Sequence, residues 1–312
     1  LQRVAVVYNT DYDAELIAAS PADESAVEES ARAVTAAITD YGLSSELIGV
    51  HGHDLDQLFR RLADDPPDLV FNLCESLAGD VRNEPLVPTM LEMLHIPYTG
   101  SDPLSLMLCL HKNRAKAVLQ QSAVPTPAHL VLHDPASYDD RLDDLVYPYF
   151  LKLVHEDASI GIEPSNVVAD RAALTVRGRQ LNETYRQPVI AERYIDGREV
   201  NVTVWGSPHE LDILPLHEID FGDMPEDRPH IVSYAAKWDE GHVDYEGTKP
   251  VPMNNVDDAL AAALRGVSIA AFRALDLRDF GRVDLRIDRD GQPWVIDVNP
   301  NCDLSPDAGV AR

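Results

Sequence analysis

A chain of 312 residues with 45% hydrophobic residues can bury more than one core, which excludes global disorder and suits two or three subdomains. A formal net charge of −27 offers no basic surface, so neither nucleic acid nor an anionic membrane is expected as a partner. Cys74, Cys109 and Cys302 are too scattered for a disulfide framework or a Cys-x-x-Cys zinc site, and no apolar run is long enough to span a bilayer. A reducing cytoplasm fits this composition.

The opening "LQRVAVVYNT" reads as a strand over 3–8 rather than a signal peptide. A helix over 22–41 follows, with Val27, Ala31, Val34 and Ile38 near helical spacing and Gly42 as its stop. A strand at 45–50, a helix at 54–64 and a buried strand within "PPDLVFNLCES" (66–76) complete an alternation that predicts a parallel α/β unit. A helix near 85–94 and a short strand in "IPYTGS" bring this first domain to residue 102. Asp102 as N-cap and Pro103 in the first turn then start a helix over 103–122. Beyond Pro127, strands at 128–132, 148–154, 188–194 and 199–205 around a helix at 170–185 predict α+β structure. Residues 217–252 are rich in Pro, Gly, Asp and His without periodicity and read as a long loop or lid. An amphipathic helix at 257–275 leads into the last pair of strands.

That pair, "RVDLRIDRDGQPWVIDVN", carries Asp284, Asp288 and Asp297 among strand formers that usually exclude Asp. Asp290-Gly291 predicts a two-residue turn, and counting back from it sets Asp284 opposite Asp297 and Arg282 opposite Asn299. Alternation puts these four on one face and Val283, Leu285, Ile287, Trp294, Ile296 and Val298 on the core face. Opposed aspartates with Cβ atoms roughly 5 Å apart repel one another, and a divalent cation between them converts repulsion into ligation. Oxygen-only donors favour Mg²⁺ or Mn²⁺ over zinc. Asp288, beside the turn, is expected as an ordinary solvated residue. A longer turn would move the facing by one position.

Three further stretches become readable beside this hairpin. Lys152 stands in an apolar strand, where an ATP phosphate would be a fitting partner, and Ala158, Ser159 and Gly161 form a small-residue loop able to lie over phosphates. A strand lysine can also snorkel at an edge. Glu192 and Glu199 flank an Asp196-Gly197 turn and suit an adenine amine and a ribose hydroxyl. Lys112 lies on a mostly apolar helix, where a solvated face is the competing reading.

Taken in order, Lys112, Lys152 with its loop, Glu192, Glu199, Arg282-x-Asp284 and Asp297-x-Asn299 resemble the ATP-grasp superfamily, and most closely its D-alanine–D-alanine ligases and related carboxylate–amine ligases. "EMLHIPYTGSDPLSLMLCLHKNRAKAVLQQSAVPTP" is similar to that family's entry into its central domain. The resemblance implies an α/β ATP-grasp fold, with an N-terminal Rossmann-like parallel domain (1–102) and two α+β subdomains clamping ATP (103–187 and 188–312, with the lid at 217–252). It implies that Lys112, Lys152 and Ser159 contact phosphates, Glu192 the adenine amine and Glu199 the ribose, with Tyr194 and Ile195 walling the base. Lys237 would reach the γ-phosphate, and Arg282 would stabilise the oxyanion of a tetrahedral intermediate. Asp284, Asp297 and Asn299 would hold two Mg²⁺ ions, with Mn²⁺ able to replace them; Asp297 stands where the family usually has Glu.

The implied reaction joins amino acids or small peptides. A carboxylate attacks the γ-phosphate of ATP, and an amine attacks the resulting acyl phosphate, giving an amide, ADP and phosphate. Positioning and charge stabilisation would dominate, with the lid excluding water. The family's usual homodimer is implied as well. Departures cluster at the substrate end: Asp11, Asp13 and Glu15 stand in "YNTDYDAELIAAS", Glu75 and Glu84 in "NLCESLAGDVRNEP", and Asp303 in "NPNCDLSP" beside an expected glycine. Substrates other than D-alanine remain open, as do a non-catalytic ATP-binding regulator and a small-molecule kinase.

Overall fold

Val4, Ala5, Val6 and Val7 are all buried, as a continuous apolar strand requires when both sheet faces are covered. β1 (Arg3–Asn9) accordingly lies between β2 (Ser44–Val50) and β3 (Leu69–Asn72), parallel to both. Alternation sends Val6 and Tyr8 to Ala31, Val27 and Val34 of the helix Ala22–Asp40, and Ala5 and Val7 to the core containing Leu58 and Leu62 of the helix Leu55–Asp64. The computed structural model describes residues 1–11, 22–134, 142, 145–156, 158–207, 209–254 and 256–305.

The strand expected across 66–76 is only four residues long, because the Asn72 side chain accepts from Cys74 N at 3.3 Å and turns the chain away. "IPYTGS" supplies a single bridge, Val70 to Tyr98, instead of a strand. The helix expected over 103–122 is two helices, Pro103–Leu110 and Lys112–Gln121, broken at His111. The break docks the second helix on the next sheet, since Lys112 N donates to Val154 O at 3.2 Å.

That sheet is antiparallel, in the order β4 (His129–Leu132), β7 (Val189–Arg193), β5 (Tyr149–Leu153), β6 (Val167–Val168). A third sheet contains β8 (Arg198–Ser207), β9 (Glu210–Ile213), β10 (His217–Asp220), β11 (Lys249–Pro252), β12 (Asp279–Ile287) and β13 (Pro293–Asn299). Its order is β11-β10-β8-β12-β13, with β9 also pairing β8. Leu264, Ala271 and Phe272 of the helix Asp258–Ala274 pack on the apolar face formed by Val200, Val202, Val283 and Val298.

Residues 217–252 are less loop-like than their composition indicates. β10 and β11 pair at the two ends of the segment, and the short helices Tyr234–Trp238 and Val243–Glu246 lie between them. Among the described residues no helix is long and apolar enough to cross a membrane. The three cysteines are free and buried.

The hairpin keeps the expected facing by a different route. Ile287 pairs with Pro293, and Asp288 N bonds Gln292 O, so the turn spans three residues rather than two. A register shift between Asp284 and Leu285 then leaves Ile296 as an extra residue, and the pairs Asp284–Asp297 and Arg282–Asn299 are restored. The core face changes accordingly: Val295 is fully buried, whereas Trp294 and Ile296 are only partly so. Asp288 is no idle surface residue. Its carboxylate accepts from Asp290 N, Gln292 N and Trp294 Nε1, which fixes the turn.

Candidate active site

A cavity of about 640 Å³ opens between the two antiparallel sheets. β5 and β7 present Lys152 and Glu192 to it, while β8 and β12 present Glu199, Arg282 and Asp284 and β13 presents Asp297. Lys112, Ser159, Tyr194, Ile195, Lys237 and Asp303 also line it. A second cavity of about 250 Å³ shares Lys237, Arg282, Asp284, Asp297 and Asp303 with the first and adds Glu75, Glu84 and Asn299. Glu15 and Asp13 lie outside the described residues.

At one wall, Glu192 is 2% exposed and lies 3.1 Å from both Lys116 and Lys152. Burial alone would push this carboxyl up, but the two ammoniums outweigh it and hold it below its ordinary value. Lys116 shows the opposite balance: burial wins over Glu192, and its pKa is lowered. One carboxylate shared by two buried ammoniums explains both directions. The Lys152 ammonium lies 3.1 Å from Glu192 Oε1, an oxygen with a second lone pair able to accept from a ligand. Lys112 Nζ reaches Asp297 Oδ2 at 2.7 Å. Burial opposes ionisation of Asp297, yet Lys112 and Lys152 hold its carboxyl low. Lys112, Lys116 and Lys152 gather on this side of the cavity, the positive charge that phosphate recognition requires.

Asp284 and Asp297 sit where the two cavities meet, directly opposed across β12 and β13. Arg282 forks onto Asp284 at 2.7 and 3.0 Å, and Asn201 Nδ2 donates to the same carboxylate at 2.7 Å. The neighbouring Asp284 raises the Arg282 pKa further, so the guanidinium is permanently charged. Asn299 Oδ1 accepts from Asn301 N at 2.9 Å. Among the described residues no three His, Cys, Asp or Glu converge on one point, so the candidate metal donors are two carboxylates and an amide. Such hard oxygen donors fit Mg²⁺.

Over the cavity, the lid rests on the small-residue loop. Ser159 Oγ donates to Val232 O at 3.0 Å, Trp238 Nε1 to Ala158 O at 3.0 Å, and Tyr234 N to Ile162 O at 2.9 Å. Ala158 and Ser159 adopt successive left-handed conformations (φ 54° and 62°), a shape that suits a loop of small residues. The Ser159 hydroxyl is therefore engaged by the lid. Lys237 is exposed, with its ammonium 4.8 Å from the Trp238 ring centre.

At the substrate end, Asn301 Nδ2 bridges Cys74 O and Glu84 Oε1, each at 3.0 Å, and so ties the loop after β3 to the loop after β13. Asp303 accepts from Ser305 N and Oγ, closing its own turn. Cys302 lines the second cavity, but burial pushes its thiol up to about 11, which keeps it protonated.

Sequence reasoning missed two charged residues. Lys116 follows Lys112 by one helical turn, and Arg286 follows Asp284 by two positions on β12, so each shares a face with a residue already singled out. Both are buried, at 3% exposure each.

Two antiparallel sheets closing on a cavity with lysines on one wall and paired aspartates on the other define an ATP-grasp fold. The chain belongs to the D-alanine–D-alanine ligase family of ATP-dependent ligases: the family described as "D-ala D-ala ligase C-terminus" matches residues 118–305. Over 247 residues it is 36% identical to the uncharacterized protein y4sG of Sinorhizobium fredii, covering 77% of this chain and 69% of the relative. It is 32% identical over 251 residues to the D-alanine–D-alanine ligase of Bordetella pertussis, covering 80% and 75% respectively. The crystal structure of the Bacillus anthracis D-alanine–D-alanine ligase superposes with a TM-score of 0.77 at 22% identity, covering 100% of this chain and 90% of that one. The VanG D-Ala:D-Ser ligase of Enterococcus faecalis gives 0.71 at 19%, covering 98% and 92%. At those identities the likeness concerns the fold.

Proposed function

We propose that this chain joins an amino-acid-like carboxylate to an amine through an acyl phosphate, consuming ATP, with residues 1–102, 103–187 and 188–312 as its working subdomains. The observation that carries this reading is Arg282, salt-bridged to Asp284 where the two cavities meet and opposite the pair Asp297–Asn299. A protein that only binds nucleotide has little use for a partly exposed guanidinium held at that junction.

In this reading the larger cavity takes ATP. Glu192 Oε1 accepts from the adenine amine, Glu199 from a ribose hydroxyl, and Tyr194 and Ile195 flank the base. Lys112, Lys152 and Lys237 orient and neutralise phosphates. Asp284, Asp297 and Asn299 hold Mg²⁺, which when bound supplies charge neutralisation at the phosphates. Arg282 stabilises negative charge on the attacked acyl group. The smaller cavity takes the substrates, and Glu75, Glu84 and Asp303 on its lining favour amine-bearing ones over anions. The Asn301 tie sets the Glu84 carboxylate, and the reading includes amine-bearing substrates other than D-alanine. A cytoplasmic homodimer is the form we expect.

The test is incubation with MgATP and pooled D- and L-amino acids while ADP, phosphate and new masses are followed together. A product equal to two substrates minus water, with ADP and phosphate in step, supports ligation and identifies the substrates. ADP without phosphate would replace this reading with a kinase.

A further inference from the structure

Arg286 is a polar anomaly in the third sheet: a guanidinium 3% exposed on an inner strand. Its strand register sets it directly opposite Glu199 of β8, and both Nε (3.1 Å) and Nη2 (2.7 Å) reach Oε2 of that carboxylate. Nη1 donates to Ile195 O at 2.9 Å, and Nη2 also donates to His230 O. The guanidinium carbon is 5.1 Å from the Tyr194 ring centre and 6.0 Å from that of Phe221. The Tyr194 hydroxyl shares the His230 carbonyl at 3.2 Å, and the His230 ring stacks parallel on Phe221 at 5.2 Å. One planar side chain thus collects the base-flanking segment, the ribose-facing glutamate and the lid between β10 and Tyr234.

We propose that Arg286 is a positioning residue that latches lid residues 221–232 onto the nucleotide end of the cavity and fixes Glu199, so that lid closure and nucleotide affinity are set by one side chain. This rests on the nucleotide reading above. The guanidinium suits the task because its donors diverge in a fixed plane and reach a carboxylate and two carbonyls at once, which a lysine cannot do. Both bonds to Glu199 fall on Oε2, leaving Oε1 for a ligand hydroxyl. Both rings lie within cation–π range of the guanidinium.

The experiment uses the full chain, its Arg286→Met and Arg286→Lys variants, calorimetric titration with MgATP, and limited digestion by a glutamate-specific endoproteinase, read at the exposed Glu226 with and without nucleotide. Truncating one partner of a buried charge pair costs enough that MgATP should bind Arg286→Met at least roughly 30-fold more weakly. Arg286→Lys, which keeps a counter-charge for Glu199 but loses the carbonyl bonds, should lie between it and wild type. Both variants should be cleaved faster at Glu226 without nucleotide, and in turnover KM for ATP should rise by more than kcat falls. Unchanged affinity with unchanged cleavage overturns the latch. If Arg286→Met does not fold, Arg286→Lys decides by the same two readouts. If the wild type binds no MgATP, the nucleotide reading fails, and cleavage at Glu226 alone still decides the latch.

Discussion

Lys152 Nζ donates to the carbonyl of Ile296 at 3.1 Å, and Ile296 is the residue that β13 bulges out between its pairs with Leu285 and Asp284. The bulge removes that carbonyl from the ladder and turns it toward the cavity. Lys152 belongs to the other antiparallel sheet, so this bond ties the two walls of the proposed nucleotide site together at the level of Asp297.

Replacing Lys152 by Met should cripple turnover while leaving a folded chain. Glu192 keeps Lys116 as a partner at 3.1 Å, and methionine fills the volume of the lysine stem. The phosphate-facing charge is lost, and kcat/KM for ATP should fall at least about 100-fold. Steady-state ADP formation alongside a thermal melt separates the two effects. An active variant would remove Lys152 from the phosphate site.

The facing of Asp284 and Asp297 was legible because side chains alternate strictly along a strand and Asp290-Gly291 marks a turn. The turn is one residue longer than that dipeptide dictates, and the Ile296 bulge compensates for it. Neither departure has a local signature: the carbonyl that the bulge frees bonds Lys152, a partner from another sheet. Lys116 and Arg286 were illegible for a related reason. A charge on a helix or strand reads as solvated until its partner is known, and their partners, Glu192 and Glu199, come from distant strands. The lid was misread because the pairing of β10 with β11 closes a long connection whose polar interior masks its ends.

Glu192 should give stability a defined acid limb. The two ammoniums hold its carboxyl below the ordinary 4.5, so the folded state favours the ionised form. Its contribution is complete above about pH 4.5 and is lost as pH falls through the lowered folded value. Glu192→Gln leaves two buried ammoniums without their carboxylate, which should cost roughly 3–5 kcal/mol at pH 7. The gap in melting temperature between wild type and variant should narrow as pH drops below 4.5. A gap independent of pH down to acid unfolding would mean that Glu192 is not ionised in the fold.

Asp297→Asn should separate metal binding from folding. The amide keeps the shape and still faces Asp284, but it gives up the charge and the 2.7 Å ion pair with Lys112. The Mg²⁺ concentration for half-maximal turnover should rise at least about tenfold, since even changes outside the ligand shell have effects of that size. Chelation of divalent ions should abolish turnover in the wild type. An unchanged Mg²⁺ requirement in Asp297→Asn would move the metal site away from this hairpin.

The lid predicts a leak. Trp238 Nε1 bonds Ala158 O across the mouth of the cavity, and Ser159 Oγ bonds Val232 O beside it. Trp238→Phe removes the donor and keeps most of the ring, so the chain should fold while the lid opens more often. If the lid protects an acyl phosphate, water should then compete with the amine. Phosphate released per molecule of ligated product should rise well above one, with ADP formation slowed little. Ser159→Ala tests the second tie alone and should give a smaller leak in the same direction. A strict one-to-one ratio in both variants, at wild-type rates, would leave the lid without a role in guarding the intermediate, because hydrolysis is the one side reaction its closure can prevent.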